Sequence, residues 1–322
     1  MSIHGPDASV EANDTADEFG DLHRALASFG RLRLSPATPK STWREDLRTE
    51  LGLRSIERGF IEEEWAAVQS LLADMPVGPQ HFMAWYEHLA SSGPGQGDPL
   101  FPWLAEQADL EQMRWFVAQE AAGEAGFDDL VALTQLKLPT AAKLELARNY
   151  WDEMGRGHQR AMHGPMLERL VEALELDRQP PAIVWQSLAL GNLMTALAIN
   201  REFAFHSVGA LGVIEMTAPD RACAVARGLA RLGVDKASRH YFELHAVLDR
   251  KHSQQWNGQA ILPLVEGDPA LARPIAEGAL MRLAAGARCF ERYRMEFGLP
   301  GRSSPGFVTS GDSVGPVDVA YS

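Results

Sequence analysis

Apolar residues recur every three to four positions along most of this chain, and runs of two-residue alternation are almost absent. That period is the signature of amphipathic helices rather than strands. Ser41 to Leu53 opens on a Ser-Thr pair with Glu45 and Asp46 near its first turn, as helix starts prefer. Helices are expected next over Glu57 to Met75 and over Pro79 to Ser92, the latter with a proline at its start. Pro102 to Gly126 reads as one long amphipathic helix, resumed as Phe127 to Gln135 after a break at Gly126. Thr140 to Glu153 follows behind Pro139, then Gln159 to Leu176. Pro181 to Asn200 is apolar nearly all round, the pattern of a helix at the centre of a bundle. Arg201 to Thr217, Asp220 to Leu232, Lys236 to Trp256 and Pro269 to Phe297 complete the set. The expected fold class is all-α, with a single helical domain over residues 41–299. Residues 1–40, rich in Ser, Asp, Ala, Pro and Gly, read as a flexible leader, and residues 300–322 as a flexible tail.

Composition narrows the classes. The chain is 46% hydrophobic and 23% charged, as soluble globular proteins are. A formal net charge of -13 argues against non-specific nucleic-acid binding and against an anionic membrane surface. No apolar run approaches the ~20 residues needed to cross a bilayer, and Met1 to Gly20 lacks the basic-then-apolar layout of a signal peptide. Two cysteines, Cys223 and Cys289, make no disulfide framework, so a cytoplasmic setting is expected and each thiol reads as a small buried hydrophobe.

The candidate chemistry lies in acidic and imidazole side chains on separate helices. His245, Asp249 and His252 stand at i, i+4 and i+7, on one narrow helix face. Two imidazoles and a carboxylate suit iron, manganese or zinc, although an ordinary helix can align histidines too. Glu153 and His163 would lie ~15 Å apart on a straight helix. Gly155 and Gly157 between them permit a tight turn that brings them together. Glu215 sits in the apolar run Val208 to Met216, where a buried carboxylate needs a cation or hydrogen bonds. Glu120 and Glu124, at i and i+4, either face that interior beside Phe116 and Phe127 or lie on a solvated face. Helix bundles build dinuclear carboxylate sites from such side chains. Four carboxylates in one core would be neutralised, on formal count, by two divalent cations.

These residues resemble the heme-oxygenase-like diiron oxidases and oxygenases, also described as iron-containing redox enzymes. The resemblance covers most of residues 100–297. It rests on Asn149-Tyr-Trp-Asp-Glu-Met-Gly-Arg-Gly-His158, on Ala161-Met-His-Gly164 and on the His245-x3-Asp249-x2-His252 triplet. It implies a heme-oxygenase-like helical bundle with one iron held by Glu153, His163, Glu215 and His245. It implies a second, weakly bound iron held by Asp249, His252 and a first-helix glutamate, for which Glu120 is preferred and Glu124 is the alternative. The cofactors implied are two iron ions cycling between Fe(II) and Fe(III), with O2 as co-substrate. No residue takes the place of the proximal heme histidine of true heme oxygenases.

The implied substrates are small molecules derived from amino acids, amines or fatty acids. The implied reactions are N-oxygenation, C–C or C–H cleavage, and self-modification. A separate electron donor and a homodimeric assembly are expected, and no nucleic acid or membrane. Tyr150, Trp151 and Tyr241 lie near the presumed ligands and read chiefly as core aromatics. Arg148, Arg201 and Arg239 are candidates to meet a substrate carboxylate. The rival readings are a thiaminase-like enzyme with a cysteine nucleophile, a helical scaffold without iron, and the same ligands holding manganese-iron or zinc.

Overall fold

A computed structural model of the chain describes residues 8–178 and 181–301, with side chains from residue 18 onward. All regular structure among the described residues is helical. In order the α-helices are α1 (Ala8–Leu34), α2 (Trp43–Val68), α3 (Pro79–Ser92), α4 (Leu100–Glu106), α5 (Leu110–Gly123), α6 (Phe127–Thr134) and α7 (Thr140–Glu153). They continue as α8 (His163–Ala173), α9 (Trp185–Ile199), α10 (Ala204–Arg231), α11 (His240–Trp256), α12 (Leu262–Gly267) and α13 (Ala272–Glu296). No helix among the described residues is long and apolar enough to cross a membrane.

The organising element is α10, which packs along its length against α11 and α13 and, at its C-terminal half, against α4. Helix α9 lies beside it and is buried on every side from Ala189 to Ala198, as its all-round apolar sequence requires. The α10–α13 contact is a backbone approach. A β-carbon at Gly209 would stand 1.9 Å from the Ile275 carbonyl oxygen, and one at Gly278 1.9 Å from that of His206. Only glycine fits there. Two large buried side chains then tie neighbouring elements to α10 carbonyls: Tyr86 Oη donates to Gly209 O (2.8 Å) and Trp256 Nε1 to Val208 O (3.1 Å).

Several expected boundaries change, each for a local reason. The single helix expected over 102–126 is two. Asp109 caps α5 by accepting from the Gln112 backbone N–H while the Gln112 side chain accepts from that of Asp109. The break at Gly126 is present, in left-handed conformation at φ 72°. The helices expected on either side of Ala218-Pro219 are one, α10. Pro219 leaves the Glu215 carbonyl without its helical donor, yet Val213, Ala222, Val225 and Leu229 are buried on both sides of it and hold the helix on course. Likewise Ser41–Leu53 and much of Glu57–Met75 merge into α2.

The expected flexible leader is corrected most. From Ala8 to Leu34 it is helix α1, which packs on α9 with His23, Leu26 and Phe29 buried at helical spacing. His23 stacks on Trp185, and its carbonyl accepts from Asn192 Nδ2 (2.9 Å). Nearly all of the expected tail lies outside the described residues. Cys289 is buried as expected, whereas Cys223 is exposed.

Candidate metal centre

Helices α7, α8, α10 and α11 deliver six titratable side chains to one point. Glu153 ends α7 and His163 opens α8. Between them the chain turns through left-handed conformations at Gly155, Arg156 and Gly157. A β-carbon at Gly155 would stand 2.4 Å from the Ala161 carbonyl carbon, so glycine is required for the turn to close. It brings His163 Nδ1 to 2.5 Å from a Glu153 carboxylate oxygen, misaligned for a hydrogen bond. Glu215 comes from the middle of α10, and His245, Asp249 and His252 from the inward face of α11.

Glu153, His163 and His245 each place a donor atom within 4.8 Å of the others, and so do Glu153, Glu215 and His252. Glu153 therefore stands between two three-ligand sets. Apart from the half-buried His245, all of these side chains are buried, as is Asp249 beside them.

The hydrogen bonds aim the imidazoles. His245 Nδ1 lies 2.7 Å from the Tyr241 carbonyl oxygen, which can only accept, so Nδ1 carries the hydrogen and Nε2 keeps its lone pair. His252 Nε2 lies 3.2 Å from Asp152 Oδ2, leaving Nδ1 facing Glu215 at 3.5 Å. Asp152 is in turn held by Arg156 Nε at 2.6 Å. Asn149 Nδ2 donates to Glu215 Oε1 at 2.6 Å and fixes that carboxylate.

The cluster holds more negative charge than the protein neutralises. Burial, then the neighbouring Glu215, pushes the Glu153 carboxyl well above its usual range. The same causes in the same order push Asp249 up to about 10. Burial lowers His163 to about 4, helped by the charge of His252, and lowers His245 to about 4, helped by His163. Burial also works to lower His252, but the facing Glu215 carboxylate, then the hydrogen-bonded Asp152, outweigh that and raise it to about 9. Among the described residues, buried His163 Nδ1, His252 Nδ1, Asp249 Oδ1 and Asn149 Oδ1 lack hydrogen-bond partners. Buried polar atoms are rarely left so. Orphaned nitrogen and oxygen donors around surplus carboxylates are what a divalent ion satisfies, so these residues fit iron.

The cluster opens on an interior cavity of about 150 Å³, walled in part by Leu190, Met194, Ile214, Phe242 and Tyr241. Both first-helix candidates line it. Glu124 is on the cluster side, where its charge acts on Glu153 and Tyr241 and its oxygens accept from the Gly126 (3.0 Å) and Phe127 (3.3 Å) backbone N–H groups. Glu120, the glutamate preferred from sequence, acts chiefly with Arg221, Arg282 and Tyr293.

The arginines singled out from sequence are placed elsewhere. Arg148 pairs with Glu145, Arg201 donates to carbonyls at the end of α6 and beyond, and Arg239 pairs with Glu243. The guanidinium groups that do line the cavity, Arg221 and Arg282, were missed. So was Asp152, although it stands beside Glu153 in the quoted motif. Trp151 is 54% exposed and is no core aromatic, whereas Tyr150 is half-buried against the core. Tyr241 lines the cavity.

An all-α bundle with buried carboxylates and imidazoles meeting at its middle is the heme-oxygenase-like arrangement. The family model described as iron-containing redox enzyme matches residues 114–287, and the chain belongs to that family. Two crystal structures of a CADD-like protein of unknown function from Nostoc punctiforme PCC 73102 are similar in fold. One is 17% identical with a TM-score of 0.53 over 68% of this chain and 97% of that one. The other is 16% identical with a TM-score of 0.50 over 68% and 95%. No curated protein matches the chain.

Proposed function

We propose that this chain is a non-heme diiron enzyme that uses O2 to oxidise a small molecule held in the interior cavity. One observation carries the reading: two ligand sets share Glu153 amid surplus buried carboxylates and partnerless donor atoms. Glu153, His163 and His245, with Glu124 beside them, would hold one ion. Glu215, His252 and Asp249 would hold the other, with Glu153 between the two sets. Glu124 replaces Glu120 in this assignment because its charge bears on Glu153.

Iron bound there would supply the electrons that reduce O2 and the open positions where O2 and substrate meet. The protein supplies the rest. The Tyr241 carbonyl and the Asp152 carboxylate orient His245 and His252. The apolar wall excludes water, so that reactive species meet the substrate rather than solvent. Burial, with the charges of Glu124 and Glu153, holds the Tyr241 phenol protonated well above its usual range, so that it faces the cavity as a hydrogen-bond donor.

The thiaminase-like alternative finds no activated thiolate at Cys289. Burial pushes the Cys289 thiol up to about 12, and its Sγ donates to the Gln186 carbonyl oxygen at 3.3 Å.

Anaerobic Fe(II) loading followed by metal analysis tests the reading, with near two irons per chain expected. Mixing the loaded protein with O2 should then give a transient visible absorption. Protein that takes up no iron, or that takes it up and leaves O2 unconsumed, rules the proposal out.

A further inference from the structure

Three arginines outside the cavity, Arg294 buried and Arg33 and Arg288 partly so, each have a carboxylate partner: Arg33 with Glu57, Arg288 with Glu64 and Arg294 with Asp98. Arg221 and Arg282 differ. Both line the cavity, and among the described residues neither has a carboxylate within 4.0 Å. Arg221 Nη2 donates to Thr217 Oγ1 at 2.6 Å, and its guanidinium carbon lies 5.4 Å from the Phe290 ring centre and 5.9 Å from that of Phe101. Arg282 Nε is buried without a partner, as are the Nε atoms of Arg33, Arg288 and Arg294, but among the described residues Arg282 alone of these four has no carboxylate beside it. The carboxylate acting on both Arg221 and Arg282 is Glu120, so two positive charges face one negative charge at this end of the cavity. Burial, then the charge of Arg282, brings Arg221 down to about 10, and burial lowers Arg282 as well. A planar anion accepting from both forks would relieve that repulsion.

The two ends of the cavity are thus opposite in character. Arg221 follows Glu215 by six residues on α10, a rise of ~9 Å along the axis. Ala218 lies between the ends on α10, and Ile214, Ala222, Leu190 and Met194 also line the cavity. A cavity near 150 Å³ is the size that accepts a benzene ring.

We propose that Arg221 and Arg282 bind the carboxylate of a small, otherwise apolar acid and so direct its far end toward Glu153, Glu215 and His245. This names the substrate class of the diiron reading and rests on it. The body of the acid would be no larger than about a six-membered ring or a short alkyl chain, which sets long-chain acids and large peptides outside the class.

The test is equilibrium binding of benzoate, phenylacetate and hexanoate, each against its uncharged amide, to the full chain both metal-free and loaded anaerobically with Fe(II). The acids should bind both forms, and each amide at least tenfold more weakly. Arg282→Met should weaken acid binding at least tenfold and Arg282→Lys by less, with iron content unchanged in both. Since Arg282 has no carboxylate partner to strand, removing its charge should leave the melting temperature level or higher. Acids and amides binding alike would overturn the proposal. So would acids that bind only when iron is present, or inorganic phosphate binding in preference to them; the parent protein alone decides these. The two readings fail separately. Iron uptake without acid binding removes the acid and leaves the metal centre, and acid binding without iron uptake does the reverse.

Discussion

Two buried polar clusters contain a residue of α10, and they differ in what surrounds their carboxylates. In the first, Glu277 of α13 faces His206 Nε2 at 3.2 Å, with Arg273 Nε at 3.0 Å and Gln69 Nε2 at 3.4 Å. One carboxylate meets a guanidinium, an imidazole and an amide, and a single atom, His206 Nδ1, is left over. In the second, Glu153, Glu215 and Asp249 converge with no Lys or Arg within ion-pair distance among the described residues. Asn149 and three imidazoles are their company, and two of those imidazoles are held neutral. The first cluster is complete within the chain and serves stability. The second finds no such partners within the described residues, and under the proposed diiron reading cations from outside complete it. Burial alone does not distinguish them; the balance of charge does.

The sharpest way to break that contrast is a crossed pair of variants. Glu153→Ala should lower iron affinity by more than ~100-fold, beyond the 10–100-fold that losing an outer-shell partner costs, and leave the metal-free melting temperature nearly unchanged. Glu277→Ala should do the opposite, keeping iron and losing about 2 kcal/mol of stability by stranding buried His206. If both variants lose iron equally, or both lose only stability, the distinction is gone.

A second pair separates the neighbouring glutamates. Glu124→Ala should reduce uptake from near two irons to about one, while Glu120→Ala should keep both. Metal analysis after anaerobic loading reads this directly, and the reverse result would return the role to Glu120.

The pH dependence follows from the shifted groups. Asp249 (about 10) and His252 (about 9) hold protons at neutral pH in the metal-free protein, and Glu153 is shifted upward in the same sense. Metal must displace those protons, so affinity should rise with pH between 6 and 8, by ~10-fold per unit for each proton released. His163 and His245, lowered to about 4, release none in that range. Calorimetry in buffers of different ionisation enthalpy counts the protons, and a flat affinity would contradict this account. The smallest effect expected is that of Asp152→Asn. It keeps an oxygen beside His252 Nε2 but loses the charge and should cost ~10-fold in affinity for the His252-bound ion alone.

Much of this was legible in the sequence, for identifiable reasons. Helices α3 and α7 begin and end where the pattern placed them, because proline and threonine mark their starts and glycine ends α3. The His245–His252 face and the Glu153–His163 turn were legible because helical spacing and glycine permissiveness are local properties. What escaped depends on the tertiary environment. Pro219 argued for a stop that packing on both flanks overrides. The polar composition of residues 1–40 hid an apolar face that exists only once α9 is there to receive it. Arg221 and Arg282 lie on different helices, and nothing local says that both face one cavity. Asp152 was overlooked because its partner, His252, is far along the chain.

The turn at Gly155 has a consequence for how the centre assembles. Glu153 and His163 meet across a connection so short that the backbone alone brings them together, whereas Glu215 and the α11 ligands must be gathered from remote parts of the chain. Loop-closure entropy grows with the length enclosed. Two of the three members of one candidate ligand set are therefore prearranged by local geometry, and the others join only when the bundle closes.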